Sequence, residues 1–361
     1  MNFDFKQKPI GIRTVSMAIL LGTFVGYIMV SAFGYHPNEI FGTLIKGAFG
    51  SPKAIASSLR WSAPLMFTGV AAAIAFKGGM FNFGLDGQIY IGGLAGTITG
   101  LIFINLPGIL LIPLMMTVSM IFGAAWALLP AYIKVKLGGS EIVPALMMNY
   151  IAVHLTDFLV HYYFLASGTN GDSLKTERIA PQAQFGNLIQ GYPITAAIFI
   201  GLTVVLIFWF LMKKSKLGYQ ILMTGENDAF ARYGGIRTDY IRTSVMLISG
   251  AIAGLGGIVE IMAVRWRFES GFAPSYGNDG ILAALLGSST PVGTLLGALF
   301  MGSLKSGSLA VERYTDVSRA FASVIQGIII CFISARLISK YLGWKSLQTW
   351  LSSRKKEVLH D

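Results

Sequence analysis

Ten apolar segments dominate this sequence, and most of them are long enough to cross a membrane. A helix needs about 20 apolar residues to span the roughly 30 Å of hydrocarbon in a bilayer. Hydrophobic residues make up 54% of the 361-residue chain and charged residues only 12%, which is about half the charge of a soluble domain. The pattern therefore predicts an all-α polytopic membrane protein with about ten transmembrane helices. The predicted segments are 13–34, 61–76, 87–105, 108–133, 142–165, 191–212, 243–264, 278–289, 292–310 and 318–338.

Two of these segments, the second (61–76) and the eighth (278–289), are too short to span comfortably. Each lies beside a polar, glycine-rich stretch, residues 77–87 and residues 270–280. Short or glycine-interrupted segments in corresponding positions of two halves are typical of inverted repeats with broken helices. Irregular backbone is tolerated at membrane depth only where protein or a water-filled cavity covers it. The sequence therefore predicts two inverted repeats, each with a broken helix.

The distribution of Lys and Arg predicts the orientation. If the N-terminus is inside, most of the 28 basic residues fall in inner segments, as the positive-inside rule requires. The net charge of +11 then reflects membrane topology, and we expect no nucleic-acid partner. The expected organisation is a cytoplasmic N-terminus (1–12), a transmembrane domain (13–338) that begins with an uncleaved span, and a basic cytoplasmic tail (339–361).

The largest inner loop, residues 213–241, contains the signals of a short helix. Thr224 or Asn227 is suited to the N-cap, and Gly234 is suited to end the helix. Ala229, Phe230 and Tyr233 would give this helix an apolar face. Two interpretations stay open: a helix that binds a cytoplasmic protein, and an ordinary loop at the membrane interface.

Motifs of hydrolytic chemistry are missing from the sequence. It contains no G-x-x-x-x-G-K-[ST], no H-E-x-x-H and no G-x-S-x-G. Its single cysteine, Cys331, rules out an internal disulfide and a thiolate cluster. We therefore expect no enzymatic activity, metal or cofactor on this chain. ATP-driven transport would require a partner chain that holds the ATP and Mg²⁺.

Four stretches together resemble a known family. They are FKGGMFNFGLDGQIYIGG (76–93), GGSEIVPALMMNYIA (138–152), GENDAFARYGGI (225–236) and NDGILAALLGSSTPVGTLLGALFMG (278–302). The chain resembles permease subunits of ABC importers in the branched-chain amino acid, ribose and nucleoside group, with the nucleoside (simple-sugar) branch nearest.

The resemblance implies a ten-span permease in a prokaryotic plasma membrane with both termini cytoplasmic. It also implies a heterodimer with a second, related permease. A cytoplasmic ATPase and an extracytoplasmic substrate-binding lipoprotein would complete the transporter.

The resemblance also assigns a role to the inner loop. In this family the stretch matching 224–236 is the coupling helix, which docks into the ATPase. Relatives usually carry an Arg where this chain has Leu222. The residues that this resemblance places in the coupling motif are Thr224, Gly225, Glu226, Asn227, Ala229, Phe230, Tyr233 and Gly234.

Polar residues inside membrane segments are costly, and each is a hypothesis for a functional site. Seven such residues are candidates for the translocation path: Asn82, Asp86, Gln88, Asn149, His154, Asp157 and Asp279. The alternatives are helix capping for Asp86 and Asp279, and contact with the partner permease for His154 and Asp157. A metal site or proton relay on the fifth segment is less favoured. Glu260, with Arg265 and Arg267 close in sequence, is predicted to form a surface ion-pair cluster.

Three functions are compatible with these features. The favoured one is a permease subunit for a nucleoside, with a purine nucleoside such as guanosine the best single guess. A permease for ribose, another simple sugar or a riboflavin-like vitamin is the alternative. A stand-alone secondary transporter or channel would also suit broken helices, but it would have no use for a coupling helix.

Overall fold

The structure, a computed structural model, describes residues 24–167 and 174–315 together with Val324 and Gly327. Most of the predicted last span, and the start of the first, lie outside these residues. In chain order the α-helices are α1 (24–32), α2 (Pro37–Phe49), α3 (Pro52–Lys77), α4 (Leu85–Ile102), α5 (Gly108–Leu137), α6 (Ile142–Tyr163), α7 (Ala197–Lys214), α8 (Lys216–Glu226), α9 (Asp228–Tyr233), α10 (Thr238–Glu260), α11 (Tyr276–Leu286) and α12 (Pro291–Tyr314).

Six helical stretches among the described residues are long and apolar enough to cross a membrane. They are α3, α5, α6, α7, α10 with its π-helical extension to Arg265, and α12. This finding confirms a multi-pass, all-helical membrane protein. The count of ten spans and the inverted repeats remain predictions.

The prediction of a short second span was wrong. Helix α3 has 26 residues and begins at Pro52, nine residues before the apolar run that sequence analysis recognised. The added turns contain polar residues that find partners inside the protein. The Ser58 hydroxyl donates to Ala48 O at 2.8 Å, and Arg60 forms an ion pair with Glu260. Tertiary contacts therefore extend this helix beyond its apolar pattern.

The eighth segment is short, as predicted. Helix α11 has 11 residues, or about 16 Å at 1.5 Å per residue, which is about half of the roughly 30 Å of hydrocarbon in a bilayer. Its flanking residues Ser275, Ser288 and Ser289 all have φ between 52° and 60°, a conformation that non-glycine residues rarely adopt. The short helix is therefore bounded at both ends by constrained backbone.

Residues 46–307 form one compact unit, and the described residues 24–45 and 308–315 belong to a second. Within residues 46–307, helix α10 packs against α3, α4 and α5, and α11 packs against α3. Helices α3 and α10 are mostly buried, whereas only about a fifth of the residues in the apolar parts of α5 and α6 are buried. The core of this unit is therefore built around α3 and α10.

Glycines allow α10 and α5 to approach at backbone distance. A Cβ added at Gly254 would collide with Ser119 O and lie 3.1 Å from Gly123 Cα. The Ser119 hydroxyl also donates to Gly254 O at 2.5 Å. Gly250 and Gly254, one turn apart on α10, both lie at this contact, in agreement with the small-residue interfaces of membrane helices.

Replacement of Gly254 by alanine is expected to destabilise the fold. The added methyl group would force α5 and α10 apart, which costs about 1–3 kcal/mol for a typical overpacked core. Thermal unfolding of the purified protein in detergent measures this loss. Gly186→Ala is the matched control, because a Cβ at Gly186 meets no atom within 4 Å. Equal midpoints for the two variants would contradict the close-packing interpretation.

Candidate functional site

The polar glycine-rich stretch after α3 is not helical until Leu85. Its buried side chains form a closed network. Asn82 Nδ2 donates to Gln88 Oε1 at 2.9 Å and to Ser249 Oγ at 2.8 Å. Asn82 Oδ1 accepts from Gln88 Nε2 at 3.0 Å and from Gly84 N at 3.1 Å. Both donors and both acceptor positions of the Asn82 amide are therefore occupied.

Asn149 on α6 holds the backbone of the same stretch. Its Oδ1 accepts from Gly87 N at 2.8 Å, and its Nδ2 donates to Phe83 O at 2.8 Å. Glu141, immediately before α6, accepts from Phe81 N at 3.2 Å and pairs with Lys134 at 3.0 Å. Side chains from outside the stretch therefore replace the hydrogen bonds that a helix would make internally.

These partners place the stretch inside the span of the helices. Asn149 lies seven residues into α6 and Ser249 eleven residues into α10, which is about 10 Å and 16 Å from the helix starts. We call residues 78–87 the re-entrant segment, because the chain leaves α3, turns back to this depth through residues 78–84 and continues into the first turn of α4. The prediction of a broken helix agrees with this geometry.

Asp86 connects the start of α4 to the start of α11. These are the two helices that follow the polar, glycine-rich stretches 77–87 and 270–280. Asp86 lies in the first turn of α4, but its carboxylate binds a different helix. Its Oδ1 accepts from Gly277 N, in the first turn of α11, at 2.6 Å. A carboxylate is favourable at a helix N-terminus because of the helix dipole. Asp86 therefore caps a helix, as the alternative interpretation predicted, but the capped helix is α11 and not α4.

Asp279 makes a second polar contact at the start of α11. Its Oδ2 accepts from Lys305 Nζ on α12 at 2.8 Å. Both side chains are more than four-fifths buried. Asp279 therefore fastens α11 to α12, and like Asp86 it stays a candidate for the path.

Glu260 is not part of a surface cluster, which corrects the sequence-based prediction. Its side chain is 2% exposed, and Arg60 Nη2 donates to Oε1 at 2.7 Å. The Tyr276 hydroxyl donates to the same oxygen at 3.1 Å, and the Arg60 guanidinium stacks 3.9 Å from the Trp61 ring centroid. Arg265 and Arg267 pair with Glu269 instead. The ion pair joins α3 to the end of α10.

The polar residues of α6 point in different directions. Asn149 faces the re-entrant segment, as described above, whereas His154 and His161 are exposed. Asp157 is half-buried, and its Oδ1 is a buried atom without a hydrogen-bond partner. Within the described residues, no group of three or more His, Cys, Asp or Glu side chains is arranged to hold a metal ion.

The inner loop contains the helix that its sequence predicted. Asn227 caps α9 by accepting from Phe230 N at 3.0 Å, and Gly234 ends the helix. Phe230 is 63% exposed and Tyr233 is 94% exposed. Of the eight predicted coupling residues, six lie at the exposed surface: Glu226, Asn227, Ala229, Phe230, Tyr233 and Gly234.

The other two predicted coupling residues face inward. Thr224 is 2% exposed, and a Cβ at Gly225 would collide with Lys77 O at the end of α3. Gly225 therefore contacts the rest of the chain at the end of α3. A pocket of about 290 Å³ opens beside α9, with a mixed apolar and polar lining. Its lining residues are Lys216, Tyr219, Gln220, Met223, Phe230, Ala231, Gly234, Gly235 and Ile236.

At the far end of α10 a second loop region is fixed by backbone pairing. Thr176 N donates to Phe268 O at 3.0 Å, and Ser270 N donates to Leu174 O at 2.8 Å. The Ser167 amide donates to Glu177 Oε1 at 2.7 Å, and this bond lowers the pKa of the Glu177 carboxyl. The loops that surround the end of α10 are therefore ordered against each other.

Comparison with known proteins decides the family. The family described as the permease component of branched-chain amino acid transport systems matches residues 54–334. The chain belongs to this family. The matched region includes the re-entrant segment, α9 and α11, so these three elements all lie within the family domain.

Relatives of the permease transport different solutes. A glucose ABC transporter permease of Haloferax volcanii is 31% identical, with 94% of each chain covered. The nucleoside permease NupB of Lactococcus lactis is 30% identical, over 89% of this chain and 90% of its own. The guanosine permease NupP of Bacillus subtilis is 29% identical, over 91% and 94%. The nucleoside permeases agree with the resemblance drawn from the motifs.

Sequence reasoning missed several residues that organise the permease. Arg60 and Lys305 were not selected, although a basic residue within an otherwise apolar span is a recognised functional signal. Ser249 and Glu141 carried no comparable signal. Their importance comes from partners that lie far away in the sequence, and only the fold brings them together.

Removal of one partner of the Arg60–Glu260 pair is expected to be more harmful than removal of both. Glu260→Ala leaves the buried guanidinium without its counter-charge, which costs about 3–5 kcal/mol in comparable pairs. The double variant Arg60→Met with Glu260→Leu leaves no buried charge and should lose less stability. Thermal unfolding in detergent compares the two. A double variant less stable than Glu260→Ala would contradict this account of the pair.

Proposed function

We propose that this permease forms the translocation path of an ATP-driven importer for a nucleoside, with a purine nucleoside such as guanosine favoured. The observation that carries the proposal is α9, a capped helix with Phe230 63% and Tyr233 94% exposed, in a chain of the permease family. Large exposed aromatic side chains at the centre of a patch are typical of protein-binding hot spots. A self-sufficient secondary transporter has no use for such a helix.

The partners follow from this proposal. A separate cytoplasmic ATPase holds ATP and Mg²⁺ and binds the loop 213–241 through α9. A substrate-binding lipoprotein delivers the solute on the opposite face. A second, related permease pairs with this one to form a heterodimer.

The topology belongs to the same proposal. The permease has ten spans in a prokaryotic plasma membrane, with cytoplasmic segments 1–12 and 339–361 on either side of the domain 13–338. The contact between the starts of α4 and α11 through Asp86 supports two inverted repeats, because related half-helices meet near the midplane in such folds.

The permease forms the translocation path and transmits the movement of the ATPase to it. ATP binding draws the nucleotide domains together, α9 moves with them, and the two permeases rock so that the path opens to the other side. Asn149, His154 and Asp157 on α6, with Asn82, Asp86, Gln88 and Asp279 at the half-helix starts, are the proposed path residues. Their amide, imidazole and carboxyl groups suit the hydrogen-bonding edges of an uncharged solute.

A sugar is the second candidate substrate, since a glucose permease is 31% identical to this chain. Glucose and nucleosides share a hydroxyl-bearing ring, and the proposed path residues hydrogen-bond either class. Competition experiments therefore have to include both.

Uptake of labelled guanosine is expected to depend on this gene. Cells that lack it should lose the uptake and regain it when the gene is restored, and excess adenosine should block it. Ribose, glucose and riboflavin, added in turn, serve as competitors of the other classes. If ribose or glucose blocks the restored uptake, the substrate is assigned to the sugar class. If guanosine uptake does not depend on the gene, guanosine is not the substrate.

Substitution of the exposed aromatic residues of α9 is expected to release the ATPase. Phe230→Ser combined with Tyr233→Ser should reduce the ATPase that co-purifies with the permease by about 30-fold or more, since loss of a hot spot costs 2 kcal/mol or more. Leu188→Ser, 51% exposed at a distant loop, is the matched control. Unchanged co-purification of the ATPase with the double variant would contradict the docking role of α9.

A further inference from the structure

We propose that Gly225 is a positioning residue that transmits movement of the ATPase-docking helix to the re-entrant segment. This inference rests on the proposed function and assigns Gly225 a different role from the other residues of the coupling motif. Gly225 serves as a mechanical contact inside the permease, whereas Phe230 and Tyr233 serve as the docking surface.

The contact is between backbones. A Cβ at Gly225 would collide with Lys77 O and would lie 3.1 Å from Gly79 N. From the other side, a Cβ at Gly79 would lie 3.3 Å from Gly225 Cα. Gly79 has φ of +71°, which favours glycine at this turn. Two glycines therefore let the end of α8 press directly on the turn that follows α3.

Packing, with a charge attraction that acts beyond ion-pair distance, holds the two sides of this contact together. The ammonium of Lys77 is attracted by the carboxylate of Glu226, the neighbour of Gly225. The side chain of Thr224, on the other flank, is buried. The end of α8 is therefore seated on the α3 turn by attraction and by packing, and a displacement of α8 displaces the turn.

A second route from α9 into the core is weaker. Arg232 pairs with Asp239 at 3.1 Å, but both side chains are more than half exposed, and such exposed pairs contribute about 0–1 kcal/mol. Asp228 pairs with Arg242 at 3.3 Å, and both of these side chains are partly exposed. Side chains of this kind can adjust without moving the helix that carries them, whereas touching backbones cannot. The contact at Gly225 is the stiffer connection.

Movement of the turn reaches the candidate path. The turn is continuous with Asn82 and Asp86, and Asp86 is bonded to Gly277 at the start of α11. Asn149 binds the same segment from α6. A push at Gly225 is therefore applied to the segment that connects α4, α6 and α11.

The test measures ATP-dependent movement of the re-entrant segment without any transported solute. Phe81, 38% exposed, is replaced by cysteine in a chain whose single native cysteine, Cys331, is changed to serine. The purified complex with its ATPase is labelled with a thiol reagent, with and without ATP and vanadate. We expect the labelling rate at Phe81→Cys to change several-fold, and we expect Gly225→Ala to abolish that change while the ATPase still co-purifies.

Controls separate this role from misfolding and from docking. Gly186→Ala, in open space, should keep the full ATP-dependent change. Glu226→Gln introduces no steric conflict and should reduce the change without abolishing it, in a complex that elutes as a single species.

A Gly225→Ala complex with the full change would overturn the proposal. Loss of the ATPase from Gly225→Ala would assign the residue to the docking surface and also overturn it. If the parent chain binds no ATPase, the proposed function itself fails.

Discussion

Irregular backbone at membrane depth is the constraint on which the rest of this structure depends. Peptide groups in the re-entrant segment cannot bond to lipid, and each unsatisfied group would cost several kcal/mol. Asn149 supplies bonds to Gly87 N and Phe83 O, and Glu141 accepts from Phe81 N. Helices distant in sequence are therefore held around one short segment, and their arrangement follows from the hydrogen bonds that the segment requires.

The same requirement explains why charge is buried in an otherwise apolar chain. Asp86 accepts a hydrogen bond from the buried amide of Gly277 in the first turn of α11, and Lys305 of α12 pairs with Asp279 in that same turn. The Arg60–Glu260 pair lies about 26 Å along α3 from Lys77, at 1.5 Å per residue, near the end of α10. Each of these buried charges has a partner on another helix, and the two ion pairs link α3 to α10 and α11 to α12.

Much of the architecture was predictable from patterns that are local in sequence. The capped helix α9 was predicted with Thr224 or Asn227 as its N-cap and Gly234 as its end, since an N-cap and a terminal glycine act within one turn, and Asn227 is the cap. The short α11 was predicted from its limited apolar run. The length of α3 was not, because Ser58 and Arg60 interrupt its apolar pattern and find their partners elsewhere in the fold.

By itself the sequence determined that the chain is a polytopic helical membrane protein of an importer permease family, since apolar length and local motifs do not depend on tertiary context. The fold decided which polar residues meet. It separated Gly225, which presses on the α3 turn, from Phe230, which is exposed, although the two belong to one motif. It also paired Asp86 with Gly277 across 191 positions. Such pairings depend on how helices pack, and helix packing is set by contacts between distant residues.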